Sequence, residues 1–191
     1  MSATRQRCAG CGHDIPDTDT HPRCPRCQGL LEVRHATPAV TGAQLRALFD
    51  GRLGGGARSG PHASGVWRFC EVVLPGAAHQ ILTYPEGNTP LLASRAVAEW
   101  VGTPALLLKH EGLNPTGSFK DRGMTVGVTQ ARRVGATAVA CASTGNTGAA
   151  LAAYAALAEL SALVVVPKGQ VAVGKLAQAL AYGARTLVVR G

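Results

Sequence analysis

The sequence predicts an α/β protein in which a parallel sheet, joined by right-handed βαβ crossovers, follows a small cysteine-rich module. Three observations predict this. Two Cys-x2-Cys pairs lie within the first 27 residues. From about residue 105 onward, short apolar runs alternate with helical patterns. Those apolar runs lack the polar alternation of a sheet with one wet face, so both faces should be covered by helices. The 191 residues are 46% hydrophobic and 16% charged, enough for one core plus a small module. No apolar run is long enough to cross a bilayer, and the opening MSATRQRCAGCGHD lacks the apolar segment of a secretory signal. The expected location is therefore the cytoplasm, with no membrane association.

The first element is set by cysteine spacing. Cys8-x2-Cys11 and Cys24-x2-Cys27 each fold into a tight knuckle that aims two thiolates at one point. Two knuckles make a tetrahedral site, so Cys8, Cys11, Cys24 and Cys27 are the predicted ligands of a structural Zn2+ in a ribbon spanning 1–35. Disulfides are disfavoured in a reducing compartment, and redox Cys-x2-Cys pairs open helices in a βαβ context absent here. His13 and His21 lie nearby, but four cysteines already complete the shell.

Residues 36–75 read as a helix and a Gly-rich linker. Thr41 can cap a helix in which Leu45, Leu48, Phe49 and Leu53 recur at helical spacing. The stretch 54–65, GGGARSGPHASG, has no strand before it and no GK[ST] after it, so it reads as linker rather than phosphate cradle. Trp67, Phe69 and Trp100 are expected as packing anchors.

The regular part, 76–191, then alternates. Strands are expected at Ala105–Lys109, Ala136–Ala142, Ala162–Pro167 and Thr186–Arg190. Helices are expected at Phe119–Val134, Thr147–Leu160 and Val171–Tyr182, with Gly135 and Gly183 ending the first and third. Ending on an uncovered strand, the parallel sheet looks unfinished, and the chain reads as the N-terminal part of a longer protein.

Two strand-to-helix loops carry the chemistry. In EGLNPTGSFKDRGM, residues 111–124, Ser118 and Asp121 resemble a capping box, which places Lys120 in the first helical turn. The helix dipole disfavours an ammonium group there and favours the free amine that a Schiff-base nucleophile needs. A surface lysine that happens to begin a helix is the plain alternative, and this loop alone does not decide between them. The second loop, ASTGNTG at 142–148, offers three hydroxyls, an amide and helix N-terminal N–H groups. That is a natural seat for a carboxylate or phosphate, and two such loops at one sheet end favour a ligand crevice.

These motifs, with GNTPL at 87–91 and VPKGQVAVGKLAQALAYGA at 166–184, resemble the fold-type-II pyridoxal-phosphate enzymes, and within them the threonine synthase branch. Members of that branch can carry a four-cysteine ribbon in front, like CPRCQGLLEV here. The resemblance implies a tryptophan-synthase-β-like fold, incomplete in this chain, with pyridoxal 5'-phosphate as cofactor. It implies that Lys120 holds the cofactor covalently and later moves protons, and that Asn146 hydrogen-bonds the ring hydroxyl. It places Ser143, Thr144 and Thr147 around the substrate α-carboxylate. The implied reaction converts O-phospho-L-homoserine and water to L-threonine and phosphate, in a homodimer when full length. The family's loop for the cofactor phosphate and most groups that select the substrate phosphate have no counterpart before residue 191.

Rival readings are another enzyme on this scaffold, such as a threonine or serine dehydratase or a cysteate synthase, or a non-catalytic zinc-ribbon binding protein. The formal charge of +8 divides into +2 over residues 1–100 and +6 over 101–191. An anionic small ligand and a merely solvated surface explain that excess equally. The ribbon's Arg5, Arg7, Arg23, Arg26 and Arg34 are balanced by Asp14, Asp17, Asp19 and Glu32, so no nucleic-acid partner is expected. Lys168 and Lys175 flank the loop at the end of the third strand and could meet an anion, but a solvated position is the plainer reading, and Cys70 and Cys141 read as small core residues. Arg122 could support Lys120 electrostatically, or merely pair with Asp121 or a neighbouring carboxylate.

Overall fold

Three antiparallel strands begin the chain: β1 (Thr4–Cys8), β2 (Asp14–Pro16) and β3 (Leu31–His35), in the order β2-β1-β3. The computed structural model describes residues 4–54, 60–169 and 173–190. The knuckles form as their glycines and turns allow. The Gly12 N–H donates to the Cys8 carbonyl at 3.0 Å and the Gln28 N–H to the Cys24 carbonyl at 2.9 Å. Gly12 and Gln28 both take left-handed φ values, 69° and 59°, which reverse the chain after each cysteine pair.

Helix α1 (Gly42–Gly54) follows. Its start is a reciprocal box: the Gln44 N–H donates to Thr41 Oγ1 at 3.3 Å, and the Thr41 N–H donates to Gln44 Oε1 at 2.8 Å. Arg52 near its end grips the Glu71 carboxylate through two nitrogens at 2.6 and 2.8 Å. That pairing holds the Glu71 carboxyl down at about 2.

The expected linker 54–65 needs correction. Its residues 55–59 lie outside the described residues, but Ser64 and Gly65 are buried. Gly65 donates its N–H to the Glu86 carbonyl at 2.7 Å. A Cβ on Gly65 would lie 2.0 Å from the Asn88 nitrogen, so two backbone segments meet where only glycine fits. The following short helix α2 (Cys70–Val73) belongs to a core of Val66, Trp67, Cys70, Leu74 and Ala77, against which Val126 packs. Trp67 is fully buried and its indole N–H donates to Thr125 Oγ1 at 2.7 Å. Trp67 is thus the anchor expected, and Phe69 meets Phe49 edge-on at 4.9 Å. Trp100 is not an anchor: on helix α3 (Arg95–Val101) it is 87% exposed, because the face of α3 that packs inward is that of Ala98.

Strands β4 (Leu91–Ala93) and β5 (Leu107–Lys109) flank α3 and pair antiparallel in a sheet of their own. This corrects the expectation that Ala105–Lys109 opens the parallel sheet. The segment is instead tied to the chain before it. Glu111 accepts from Thr89 Oγ1 at 2.6 Å, and the Gly87 N–H donates to Asn114 Oδ1 at 2.9 Å, which keeps β5 beside β4.

The parallel sheet has three strands among the described residues: β6 (Ala138–Ala142), β7 (Ser161–Pro167) and β8 (Arg185–Val189), in that order. They alternate with α4 (Lys120–Arg133), α5 (Asn146–Leu157) and α6 (Val173–Ala181). These elements match the expected ones to within a few residues, although the expected start of the last helix at Val171 lies outside the described residues. Alanine dominates α5, and Ala149 to Ala155 are all buried. Small side chains let α5 pack at once on α4, α6, β6 and β7. One core joins Ala152, Ala155, Val164, Val166, Ala179 and Ala184, and a second joins Leu82, Val128, Leu151, Tyr154 and Ala158.

The ribbon docks on the far end of α4. Arg133 pairs with Asp17 at 3.4 Å, and the Gln130 side-chain amide donates to the Asp17 carbonyl at 2.8 Å. Among the described residues, no helix is long and apolar enough to cross a membrane.

Candidate functional site

The four ribbon cysteines come together as their spacing requires. Their sulfurs all lie within 4.8 Å of one another, with Cys8 to Cys27 at 3.4 Å and Cys11 to Cys24 at 3.7 Å. A tetrahedron with metal–sulfur bonds near 2.3 Å has edges of about 3.8 Å, so the cluster is the right size for one metal ion. Cys8 and Cys24 are buried while Cys11 and Cys27 face outward. Gly29 is needed beside them, since a Cβ there would lie 3.0 Å from the Cys8 sulfur.

Lys120 begins α4, one residue later than a Ser118 cap would place it. Ser118 accepts from the Lys120 N–H at 3.3 Å, but Phe119 is the cap residue and provides no side-chain bond. The expected capping box does not form. Asp121 turns back instead and takes both donors of Thr116, the N–H at 2.7 Å and the hydroxyl. Thr116 offers two donors where a cap would offer one, and Asp121 is fully buried, so the double contact wins. Burial pushes the Asp121 carboxyl up, against the pull of those two bonds.

Arg122, the next residue, chooses the neighbouring carboxylate rather than Asp121. Its Nε and Nη2 each donate to Glu111 at 2.9 Å. The guanidinium, with Thr89 and Asn114 also donating, holds the Glu111 carboxyl down at about 2. The two residues that follow Lys120 are therefore bonded to the loop that precedes it. Lys120 itself is half-buried, and among the described residues its ammonium meets only the Phe119 ring, 4.8 Å from the centroid.

The second loop lies at the carboxyl end of β6. The Ser143 N–H completes the ladder to Val165 at 3.0 Å, and its hydroxyl accepts from the Gly145 N–H at 3.2 Å. Gly145 caps α5 with no side chain, which leaves the helix N-terminus open to an anion. Ser143, Asn146 and Thr147 are half-buried and Thr144 is exposed. A Cβ on Gly148 would lie 2.9 Å from Val164 Cγ1, so glycine lets the first turn of α5 settle on β7.

Lys175 joins the two loops rather than taking the solvated position that was the plainer expectation. It lines a crevice with Ser143, Thr144 and Gly145, and it donates to the Thr116 carbonyl at 3.3 Å. Gln178, one turn on, donates to the same carbonyl at 3.3 Å. Lys168 is exposed as expected. Cys70 is buried and Cys141 partly so, and burial pushes both thiols up. The crevice encloses only about 10 Å³, far below the roughly 300 Å³ of a small cofactor site. These loops thus do not enclose a cofactor-sized cavity among the described residues. The cavities of about 550 and 560 Å³ lie elsewhere, beside α3 and between the ribbon and α4.

The model of the family described as "Pyridoxal-phosphate dependent enzyme" matches residues 82–191. A threonine synthase of Methanosarcina acetivorans is 42% identical over 185 residues, covering 97% of this chain and 42% of that protein. A threonine synthase of Synechocystis is 54% identical over 112 residues, covering 58% of this chain and 29% of that protein. Among solved structures, serine racemase from Dictyostelium discoideum superposes with a TM-score of 0.52 at 30% identity, over 62% of this chain and 38% of that one. The chain spans less than half the length of these relatives.

Proposed function

This chain belongs to the pyridoxal-phosphate-dependent enzymes, and on that premise we propose that it forms one wall of a threonine synthase active site. The reaction proposed is O-phospho-L-homoserine and water to L-threonine and phosphate. The observation that carries it is the similarity to threonine synthases across ribbon and site loops together, over 97% of this chain.

The residues present fit the cofactor. A lysine stands at the head of α4 with no carboxylate on its ammonium among the described residues, and an amide and three hydroxyls gather at an uncapped helix N-terminus. Pyridoxal phosphate, when bound, supplies an electron sink for charge developing at the substrate α-carbon. Lys120 would hold the cofactor through Nζ and, once released by substrate, accept the α-proton at that nitrogen. Asn146 would donate its side-chain amide to the cofactor's ring hydroxyl. Ser143, Thr144 and Thr147, with the open N–H groups of α5, would bind the substrate carboxylate and orient the α-carbon.

The four cysteines would hold a structural Zn2+, since thiolates in a closed tetrahedron suit zinc and leave no open position for chemistry. The reading further expects a cytoplasmic homodimer with a small-molecule substrate and no nucleic-acid partner. The test is product analysis with the native protein. Phosphate release from O-phospho-L-homoserine with threonine formation is the expected result. Ammonia release from threonine, without phosphate release from phosphohomoserine, would assign a dehydratase instead.

A further inference from the structure

Every polar atom of the Thr116 backbone and side chain is engaged, and by side chains from two elements. Its N–H and hydroxyl go to Asp121 on α4. Its carbonyl accepts from Lys175 and Gln178 on α6, each at 3.3 Å. Thr116 and Asp121 are both buried, at 3% and 0% exposure, so neither can exchange these partners for water. Gly117 follows with a φ of +80°, the reversal that brings the chain from Thr116 back toward α4. Between Thr116 and Asp121 lie only four residues, and the last of them is Lys120.

From this closure we propose that Asp121 is a positioning residue for Lys120. It fixes the first turn of α4 through Thr116, while Lys175 and Gln178 fasten the same residue to α6. The proposal rests on the reading of Lys120 as the cofactor lysine. The physical reason is reach. Lys120 carries four rotatable methylenes, and among the described residues its ammonium makes only a ring contact, so its amine is directed through its backbone. That backbone is held by its immediate neighbour. The carboxylate is used as an acceptor twice, and an asparagine can keep both contacts by accepting from the N–H and donating to the hydroxyl oxygen. An alanine keeps neither.

The test follows the rate at which the Lys120 amine condenses with the cofactor aldehyde, releasing water, when the stripped native protein is reloaded with pyridoxal phosphate. Thermal melts on the same samples restrict the comparison to folded protein. Asp121→Ala should load on the order of 100-fold more slowly, the cost of a displacement near 1 Å at a reacting group. Asp121→Asn should restore the rate to within about threefold, because it keeps both contacts. Thr116→Val, which keeps the N–H bond and loses the hydroxyl, should be slowed about tenfold, and it carries the test if Asp121→Ala does not fold. A lowered melting temperature with an unchanged loading rate in Asp121→Ala or Thr116→Val would overturn the proposal by making the contact merely structural. Wild-type protein that loads without a bond to Lys120 would overturn the underlying reading, and borohydride fixation with peptide mapping separates that case.

Discussion

Tyr154→Phe isolates one buried contact that anchors α5, the helix whose N-terminus carries Asn146 and Thr147. Tyr154 is fully buried and donates its hydroxyl to Glu86 Oε2 at 2.7 Å. Glu86 is equally buried and also receives the Ser64 hydroxyl, the Thr83 hydroxyl at 2.9 Å and the Tyr84 N–H at 3.1 Å. Burial, and then Glu86 itself, push the Tyr154 phenol up, so it stays a donor throughout the working pH range. The substitution keeps the ring, which stands edge-on to Tyr84 at 5.4 Å, and removes only the hydroxyl. A hydrogen bond to a buried charged acceptor contributes about 1.5–3 kcal/mol. For a chain of this size each kcal/mol moves the melting temperature by about 2–4 °C, so a fall of roughly 3–12 °C is expected. Urea denaturation should show the midpoint falling with the slope unchanged. Glu86→Gln turns an amide toward four donors and should also destabilise, and the double variant should lose less than the two together. A loss below about 0.5 kcal/mol for Tyr154→Phe, or strict additivity with Glu86→Gln, would show that this hydrogen bond does not anchor α5.

Three further outcomes follow from contacts elsewhere. Gly65→Ala drives a Cβ to 2.0 Å from the Asn88 nitrogen, so the overpacking should cost on the order of 3 kcal/mol or more, read from urea midpoints. Glu111 is depressed to about 2 from an ordinary 4.5, so its pairing with Arg122 stabilises fully above pH 4.5 and is lost as pH falls toward 2. The acid-induced loss of stability across that window should shrink in Glu111→Gln, measured by melting temperature against pH. Cys8→Ser removes one of four sulfurs from the cluster and should abolish metal retention in native mass spectrometry, with loss of amide protection in β1 to β3.

The parallel αβ units were legible because their signals are local. Uniformly apolar strands, an alanine-rich helix and glycines at helix ends need no distant partner to be read. The cysteine cluster was legible for the same reason, its geometry being implicit in two spacings. What escaped depends on tertiary pairing. Leu107–Lys109 has the look of any short apolar strand, and only the bonds from Glu111 and Asn114 to residues 87–89 decide its neighbour. The stretch after Pro61 reads as spacer until Gly65 is seen against Gly87 and Asn88. Side-chain type alone places Trp100 inside, although the register of α3 turns Ala98 inward. At the site, Ser118 and Asp121 fit a local capping pattern, and that fit concealed the buried partner of Asp121. Lys175 lies too far along the chain from Thr116 for spacing to link them.

The proposed site turns on Lys120 as the cofactor lysine. The most direct measurement is borohydride reduction of the native protein followed by proteolysis and mass mapping. A pyridoxyl group on the peptide containing Lys120, and on no other, is the expected result. A label on Lys175 or Lys168, or a cofactor-bearing protein with Lys120 unmodified, would contradict it.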